Sequence, residues 1–232
     1  MPCRRTPSLA AVLFALTATV TGCASRARPV DSAGRLAASV PAGPVSTPSV
    51  TGEARTGVGL RGLGVTPVPR KPALVLRDTS GSSYDLRSAT RGRLTYLYFG
   101  YTHCPDACPT TMADLASALR EVGPAVRRSV AVVFVTTDPV RDTAGSLRAW
   151  LDRFDPTFVG VTGTPDQIAA AERRAGVPLA VPESDGHGGY GVTHSTEVFA
   201  FSPDGLSHVV YADGFAPADY AHDMPLLLGR RS

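Results

Sequence analysis

The stretch from Ser129 to Thr137 (SVAVVFVTT) constrains this chain more than any other. It is an almost unbroken apolar, β-branched run with no polar alternation. A strand with one face in water alternates in polarity, so a run of this kind fits a strand covered on both faces, as inside a parallel sheet. Parallel neighbours cannot be joined by tight turns and need long crossovers, usually helices. The chain must therefore supply helices on both sides of this strand.

It does so. Ala73 to Asp78 and Tyr84 to Leu86 read as short strands around the turn Thr79–Ser82, and Arg93 to Gly100 as an aromatic-rich strand. A helix fits Pro109 to Val122, with Met112, Leu115, Ala116 and Leu119 at helical spacing. Asp142 or Thr143 can cap a helix running to about Phe154, and Phe158 to Val161 is a further strand. Thr164-Pro165-Asp166 opens a helix to about Ala175, with Thr164 as cap and Pro165 at the first position. A Gly-rich loop surrounds Ser184 to Gly191. Two strands, Thr196 to Ser202 and Ser207 to Tyr211, flank the hairpin turn Pro203-Asp204-Gly205, and Ala216 to Leu228 closes the chain as a helix. This order predicts an α/β fold with a central mixed sheet flanked by helices. With 43% hydrophobic and 19% charged residues, the core needs no disulfide staples.

The N-terminus reads as an address. Arg4 and Arg5 precede the apolar run Leu9 to Val20, which is too short to span a bilayer, and small residues lead to Cys23. Val20-Thr21-Gly22-Cys23 resembles the bacterial lipobox, with Val20 where leucine is preferred. Ordinary cleavage that leaves Cys23 unmodified is the plain alternative. We expect residues 1–22 to be a lipoprotein signal peptide, 23–70 a Pro/Gly/Ala-rich disordered tether and 71–232 the folded domain. Cys23 is the candidate lipidation residue. The expected location is the extracytoplasmic face of the cell membrane, through a lipid anchor, where disulfides persist. The net charge of +3 owes much to arginines of the N-terminal tail, and no basic run with interleaved aromatics is present, so no nucleic-acid partner is expected.

Of the four cysteines, Cys104 and Cys108 form the one close pair. They sit between a strand end and a helix start, the edge where α/β domains carry their chemistry. A helix N-terminus offers free N–H groups and partial positive charge, which favour thiolate, the nucleophilic and metal-binding form. Three readings stay open: a plain disulfide, whose tiny loop would gain little stability; a redox pair; and a metal site.

Two thiolates suit a soft ion such as copper, whereas structural zinc wants four protein ligands. With no further cysteine in the domain, a histidine must complete the set. His103 adjoins Cys104, and its side chain is expected to point away. His187 lies in the Gly-rich loop, and His208 and His222 fall in the last hairpin and last helix. His194 stands directly before a strand and fits best, although a capping or core histidine there is equally consistent with the spacing. Asp138 ends the buried strand and is a candidate for orienting a ligand from behind, or simply a turn residue before Pro139.

Taken together, these segments resemble the Sco/SenC family of copper-binding, thioredoxin-like proteins. Tyr98-Phe99-Gly100-Tyr101-Thr102-His103-Cys104-Pro105-Asp106-Ala107-Cys108-Pro109-Thr110 is similar to its cysteine motif, Thr137-Asp138-Pro139-Val140-Arg141-Asp142 to its second motif, and His194-Ser195 to its third. The resemblance covers Ala73 to Leu228. It implies a thioredoxin-like fold, a copper ion, Cu(I) or Cu(II), held by Cys104, Cys108 and His194, and maturation of the copper centre of cytochrome c oxidase. The implied partner is that oxidase's copper-bearing subunit or another copper donor or acceptor protein. Thr193 departs from the pattern, where an acidic residue usually precedes the histidine.

Three functions compete. A copper chaperone, not strictly an enzyme, needs all three ligands. A thiol-disulfide oxidoreductase needs Cys104 and Cys108 as catalytic redox pair, but not His194. A peroxide-reducing enzyme of related fold needs an activating arrangement beside its nucleophile, and none is identifiable.

Overall fold

The computed structural model describes residues 59–230 together with Ser49 and Val50. The expected signal peptide, Cys23 and most of the expected tether lie outside these residues.

In chain order the elements are β1 (Ser49–Val50), β2 (Leu63–Thr66), β3 (Val75–Asp78), β4 (Ser83–Asp85), α1 (Leu86–Ala89), β5 (Leu94–Gly100), α2 (Ala107–Glu121), α3 (Pro124–Arg128), β6 (Val130–Thr136), α4 (Ala144–Leu151), β7 (Val159–Thr162), α5 (Pro165–Ala175), β8 (Val181–Ser184), β9 (Tyr190–Thr193), β10 (Val198–Phe201), β11 (Ser207–Tyr211) and α6 (Pro217–Leu228). One mixed sheet runs β1-β2-β11-β10-β5-β6-β7-β3-β4, and β8 and β9 pair separately. The parallel centre is β5-β6-β7, in the register Leu94↔Val130 through Gly100↔Thr136 for the first pair.

The pattern of β6 now has its cause. Val132 and Phe134 face a core built with Met112, Leu115 and Leu119 of α2, Leu147 and Trp150 of α4, and Met224 and Leu227 of α6. Val133 and Val135 face a second core with Ile168 and Ala171 of α5 and Leu74, Leu76 and Leu86. β5 divides the same way, Tyr96 and Tyr98 to one core, Leu97 and Phe99 to the other. Each large apolar side chain withdrawn from water here stabilises the fold by about 1.5–3 kcal/mol. α5 begins as its caps dictate: Thr164 and Gln167 form a reciprocal capping box, and Gly176 ends the helix at φ +74°.

Three sequence expectations need correction. The fold starts before residue 71: β2 pairs with β11, and Leu60 and Val65 are buried. The buried carboxylate of Asp223 on α6 accepts hydrogen bonds from the backbone N–H of Arg61 (2.9 Å) and Gly62 (2.9 Å) and from Tyr211 Oη (2.8 Å). A four-residue strand among Gly and Pro is too short to show a period, so it read as tether. Leu86 starts α1 rather than ending a strand, because Asp85 accepts from the N–H groups of Arg87 and Ser88 and caps it. The Gly-rich stretch is the tip of the β8–β9 hairpin, turned by Gly186 and Gly188 at φ +75° and +90° and tied by Asp185 to the N–H groups of His187 and Gly189.

Candidate metal centre

β5 ends at Gly100, the chain turns through residues 101–106, and α2 begins at Ala107. Cys104 lies in that turn, half-buried; Cys108 lies in the first turn of α2, fully buried. The close approach explains Gly100. A Cβ built there would stand 2.7 Å from Cys108 Sγ, 2.7 Å from Tyr98 Cε1 and 3.1 Å from Phe134 Cζ. The sulfur thus occupies the space that any other residue at position 100 would need.

The turn is pinned from beneath. Asp142, buried after β6, accepts from Thr102 N–H (3.0 Å), Thr102 Oγ1 (2.6 Å) and Thr136 Oγ1 (2.7 Å). Its role depends on the parallel register that brings Thr136 beside Gly100. Of the two residues able to cap α4, Asp142 and Thr143, the cap is Thr143, which frees Asp142 for the turn.

His194 follows β9, and its Nε2 lies 3.5 Å from Cys108 Sγ. Its Nδ1 lies 2.7 Å from the Ser195 carbonyl oxygen. A carbonyl only accepts, so Nδ1 carries a proton, and Nε2 faces the sulfurs, as a donor when the ring is charged and with a free lone pair when it is neutral. The ring stands edge-on between Tyr98 and Tyr101, at 86° to each. One ligand atom from each of Cys104, Cys108 and His194 lies within 4.8 Å of the others. The remaining histidines are engaged elsewhere. His103 turns outward, toward Thr102 and Asp142; His187 is exposed; His208 pairs with Asp204 and His222 with Asp223.

The two thiols differ in charge. The Cys104 thiol falls from its ordinary value of 9.0 to about 3, chiefly because Cys108 donates to its sulfur, helped by His194 and by the Cys108 and Asp106 backbone N–H groups. The Cys108 N–H lies 3.4 Å from Cys104 Sγ. Burial pushes the Cys108 thiol up, and the adjacent Cys104 sulfur adds to the rise. Burial opposes a charged His194, yet Cys104 and the Ser195 carbonyl outweigh it and the net direction is up. Without metal, therefore, Cys104 is thiolate and Cys108 is a neutral thiol. The donor set, two sulfurs and one imidazole, fits a soft ion of low coordination number.

Asp138 does not touch the thiols or His194. Its buried carboxylate pairs with Arg141 Nε and accepts from Tyr190 Oη (3.1 Å). Arg141 in turn donates to the Tyr190 carbonyl (2.9 Å), and its guanidinium lies 3.7 Å from the Tyr190 ring centroid and 5.7 Å from that of Tyr101. Tyr101 Oη accepts from Val192 N–H at 3.2 Å. Asp138 thus acts on the site through Arg141, by fastening the hairpin that leads into His194 to the turn that carries Cys104. Glu172 of α5 holds the other end of that hairpin, accepting from Ala180 N–H at 3.2 Å.

These features define a class: a thioredoxin-like α/β domain with a dithiol–imidazole centre at the edge of its parallel strands. A copper-bound ScoI of Bradyrhizobium japonicum superposes with a TM-score of 0.61 at 29% identity, covering 68% of this chain and 98% of that one. The family described as SCO1/SenC matches residues 72–228, and the chain belongs to it. A Stutzerimonas stutzeri protein named for copper binding is 33% identical over 134 residues, 58% of this chain and 65% of that protein. The mitochondrial SCO2 homolog of Bos taurus is 38% identical over 118 residues, 50% of this chain and 44% of that protein. The chain spans about half the length of the curated relatives compared with it, from 34% to 65% across eight of them. Among the described residues no helix is long and apolar enough to cross a membrane.

Proposed function

We propose that this protein is an extracytoplasmic copper carrier that binds copper through Cys104, Cys108 and His194 and delivers it to the copper centre of cytochrome c oxidase. The observation that carries the reading is the convergence of two sulfurs and one Nε2 within 4.8 Å. The copper-bound structure of a 29% identical relative supports it. In this reading Cys104 supplies a ready thiolate, Cys108 a thiol that must lose its proton on loading, and His194 an imidazole whose Nε2 already faces the sulfurs. Half-exposure of Cys104 leaves room for an incoming ligand from an acceptor, so copper can pass by ligand exchange. Cys23, lipidated, would hold the domain at the membrane, with the oxidase's copper-bearing subunit or another copper donor or acceptor as partner. Cu(I) titration of the reduced protein tests the ligand set. His194→Ala should weaken binding and change the copper's X-ray absorption signature; unchanged affinity and geometry in that variant would remove His194 from the set.

One observation favours a second reading, thiol-disulfide oxidoreduction: a half-exposed thiolate beside a buried thiol. Cys104 thiolate would attack a partner disulfide, forming a mixed disulfide and releasing one partner thiolate. Cys108, losing its proton, would then attack the Cys104 sulfur and release the second. The protein dithiol is oxidised to a disulfide and the partner disulfide is reduced to two thiols. Reductase activity that survives His194→Ala while copper binding is lost would support this role.

A further inference from the structure

Away from the three ligands, a cavity of about 450 Å³ opens where the chain leading into β3 meets the C-terminal end of α5. We propose that it binds the phosphate of an anionic lipid headgroup. This rests on the membrane-anchored reading above for the ligand's proximity, but not for the chemistry of the site.

Four arginines line the cavity: Arg70, Arg87, Arg173 and Arg174. Among the described residues no carboxylate lines it and none of the four forms an ion pair within 4.0 Å. Arg173 and Arg174 have an ordinary explanation, since cations in a last turn offset the helix dipole. That explanation does not reach Arg70, which lies in no helix, and reaches Arg87 only through α1, a single turn of four residues whose dipole is small. The Arg87 Nε donates to the Lys71 carbonyl at 2.7 Å, which orients its guanidinium and leaves both terminal nitrogens for a ligand. Guanidinium forks match phosphate oxygens two at a time, and convergence of several repels every cation.

The surroundings favour a lipid over a soluble phosphate. Pro67, Val68 and Pro69 form an apolar part of the lining, and Val68 is 43% exposed, the arrangement that suits a headgroup with acyl chains beside it. The chain's own preceding segment is a poor occupant. Residues 24–58 carry two acids, Asp31 and Glu53, against four arginines, Arg26, Arg28, Arg35 and Arg55. The 36 residue-to-residue steps from Cys23 to Gly59 cap the distance from an anchor at about 120–130 Å even when fully extended.

The test uses the mature chain, residues 23–232 carrying Cys23→Ser, so that neither acylation nor the apolar run Leu9–Val20 plays a part, and sedimentation with vesicles of phosphatidylcholine alone or mixed with phosphatidylglycerol. Binding to the mixed vesicles alone is expected. Arg70→Gln/Arg87→Gln, which leaves α5 intact, should lower it at least about tenfold. Replacing Arg26, Arg28, Arg35 and Arg55 by Gln should lower it less. Equal binding by the Arg70/Arg87 variant, or a loss confined to the tail variant, would overturn the site. Saturable binding of inorganic phosphate at the cavity, seen by amide shifts without any vesicle binding, would overturn the lipid assignment. Mass spectrometry of the wild-type chain reports acylation of Cys23 separately, so failure of the anchor and failure of the cavity are distinguishable.

Discussion

Replacing Gly100 by alanine separates the packing role of this residue from its role in the metal centre. The new Cβ would stand 2.7 Å from Cys108 Sγ, whereas an ordinary contact begins at about 3.4 Å, so the sulfur must retreat by roughly 0.7 Å or the strand must shift by a comparable amount. Overpacking of this kind costs about 1–3 kcal/mol. At about 2–4 °C per kcal/mol for a domain of this size, the melting temperature of the reduced apoprotein should fall by about 2–12 °C. Metal–ligand distances tolerate only about 0.2 Å, so Cu(I) affinity should fall as well, by about 10–100-fold. Gly160→Ala provides the comparison. Its Cβ would meet Leu151 Cδ1 at 2.8 Å and Leu147 Cγ at 2.9 Å, on the α4 side of β7, with no sulfur among the three nearest atoms. It should lower the melting temperature and leave copper affinity unchanged. Differential scanning calorimetry and competition with a Cu(I) chelator measure both quantities. A Gly100→Ala protein that melts lower but binds copper as tightly as wild type would refute the claim that Gly100 sets the position of Cys108.

The charge asymmetry of the thiols gives a pH signature. The Cys104 thiol is lowered in the fold, so its contribution to stability is complete above its ordinary value of 9.0 and is lost as pH falls toward about 3. The stability advantage of reduced wild type over Cys104→Ser in urea melts should therefore shrink as pH is lowered, and a constant difference would contradict the thiolate. Loading should release at least one proton near neutral pH, because burial keeps Cys108 protonated until metal displaces it; calorimetry in buffers of different ionisation enthalpy reads the proton count, and zero would place that proton elsewhere. Arg141→Met should cost roughly 1–3 kcal/mol by leaving the buried Asp138 unpaired, speed amide exchange in Tyr190–Thr193 and speed copper release, while leaving both thiols present. Unchanged exchange in that hairpin would end its role as a fastener.

Much of this was legible in the residues because the signals were local or periodic. The buried run of β6 required a parallel sheet, and Thr164-Pro165-Asp166-Gln167 wrote the start of α5 into consecutive positions. Cys104 and Cys108 were legible as a pair from spacing, and His194 from its place before a strand. What escaped was whatever depends on non-local register. β2 is four residues long and owes its place to β11 and Asp223, more than 140 positions away in sequence. Asp142 matters because β5 and β6 bring Thr102 and Thr136 to the same carboxylate. Arg141 reads as a turn arginine until Tyr190 arrives from the hairpin, and Gly100 as a strand end until the sulfur is seen beside it.

The 86 positions between Cys108 and His194 have a consequence for biogenesis. Everything from α3 through β9 must be threaded and packed before the imidazole meets the sulfurs. In the proposed copper-carrying role, a chain still folding would offer copper a dithiol early, but the imidazole only when nearly the whole fold is in place. In that role tight loading would be reserved for finished molecules, and the centre would certify the domain that carries it.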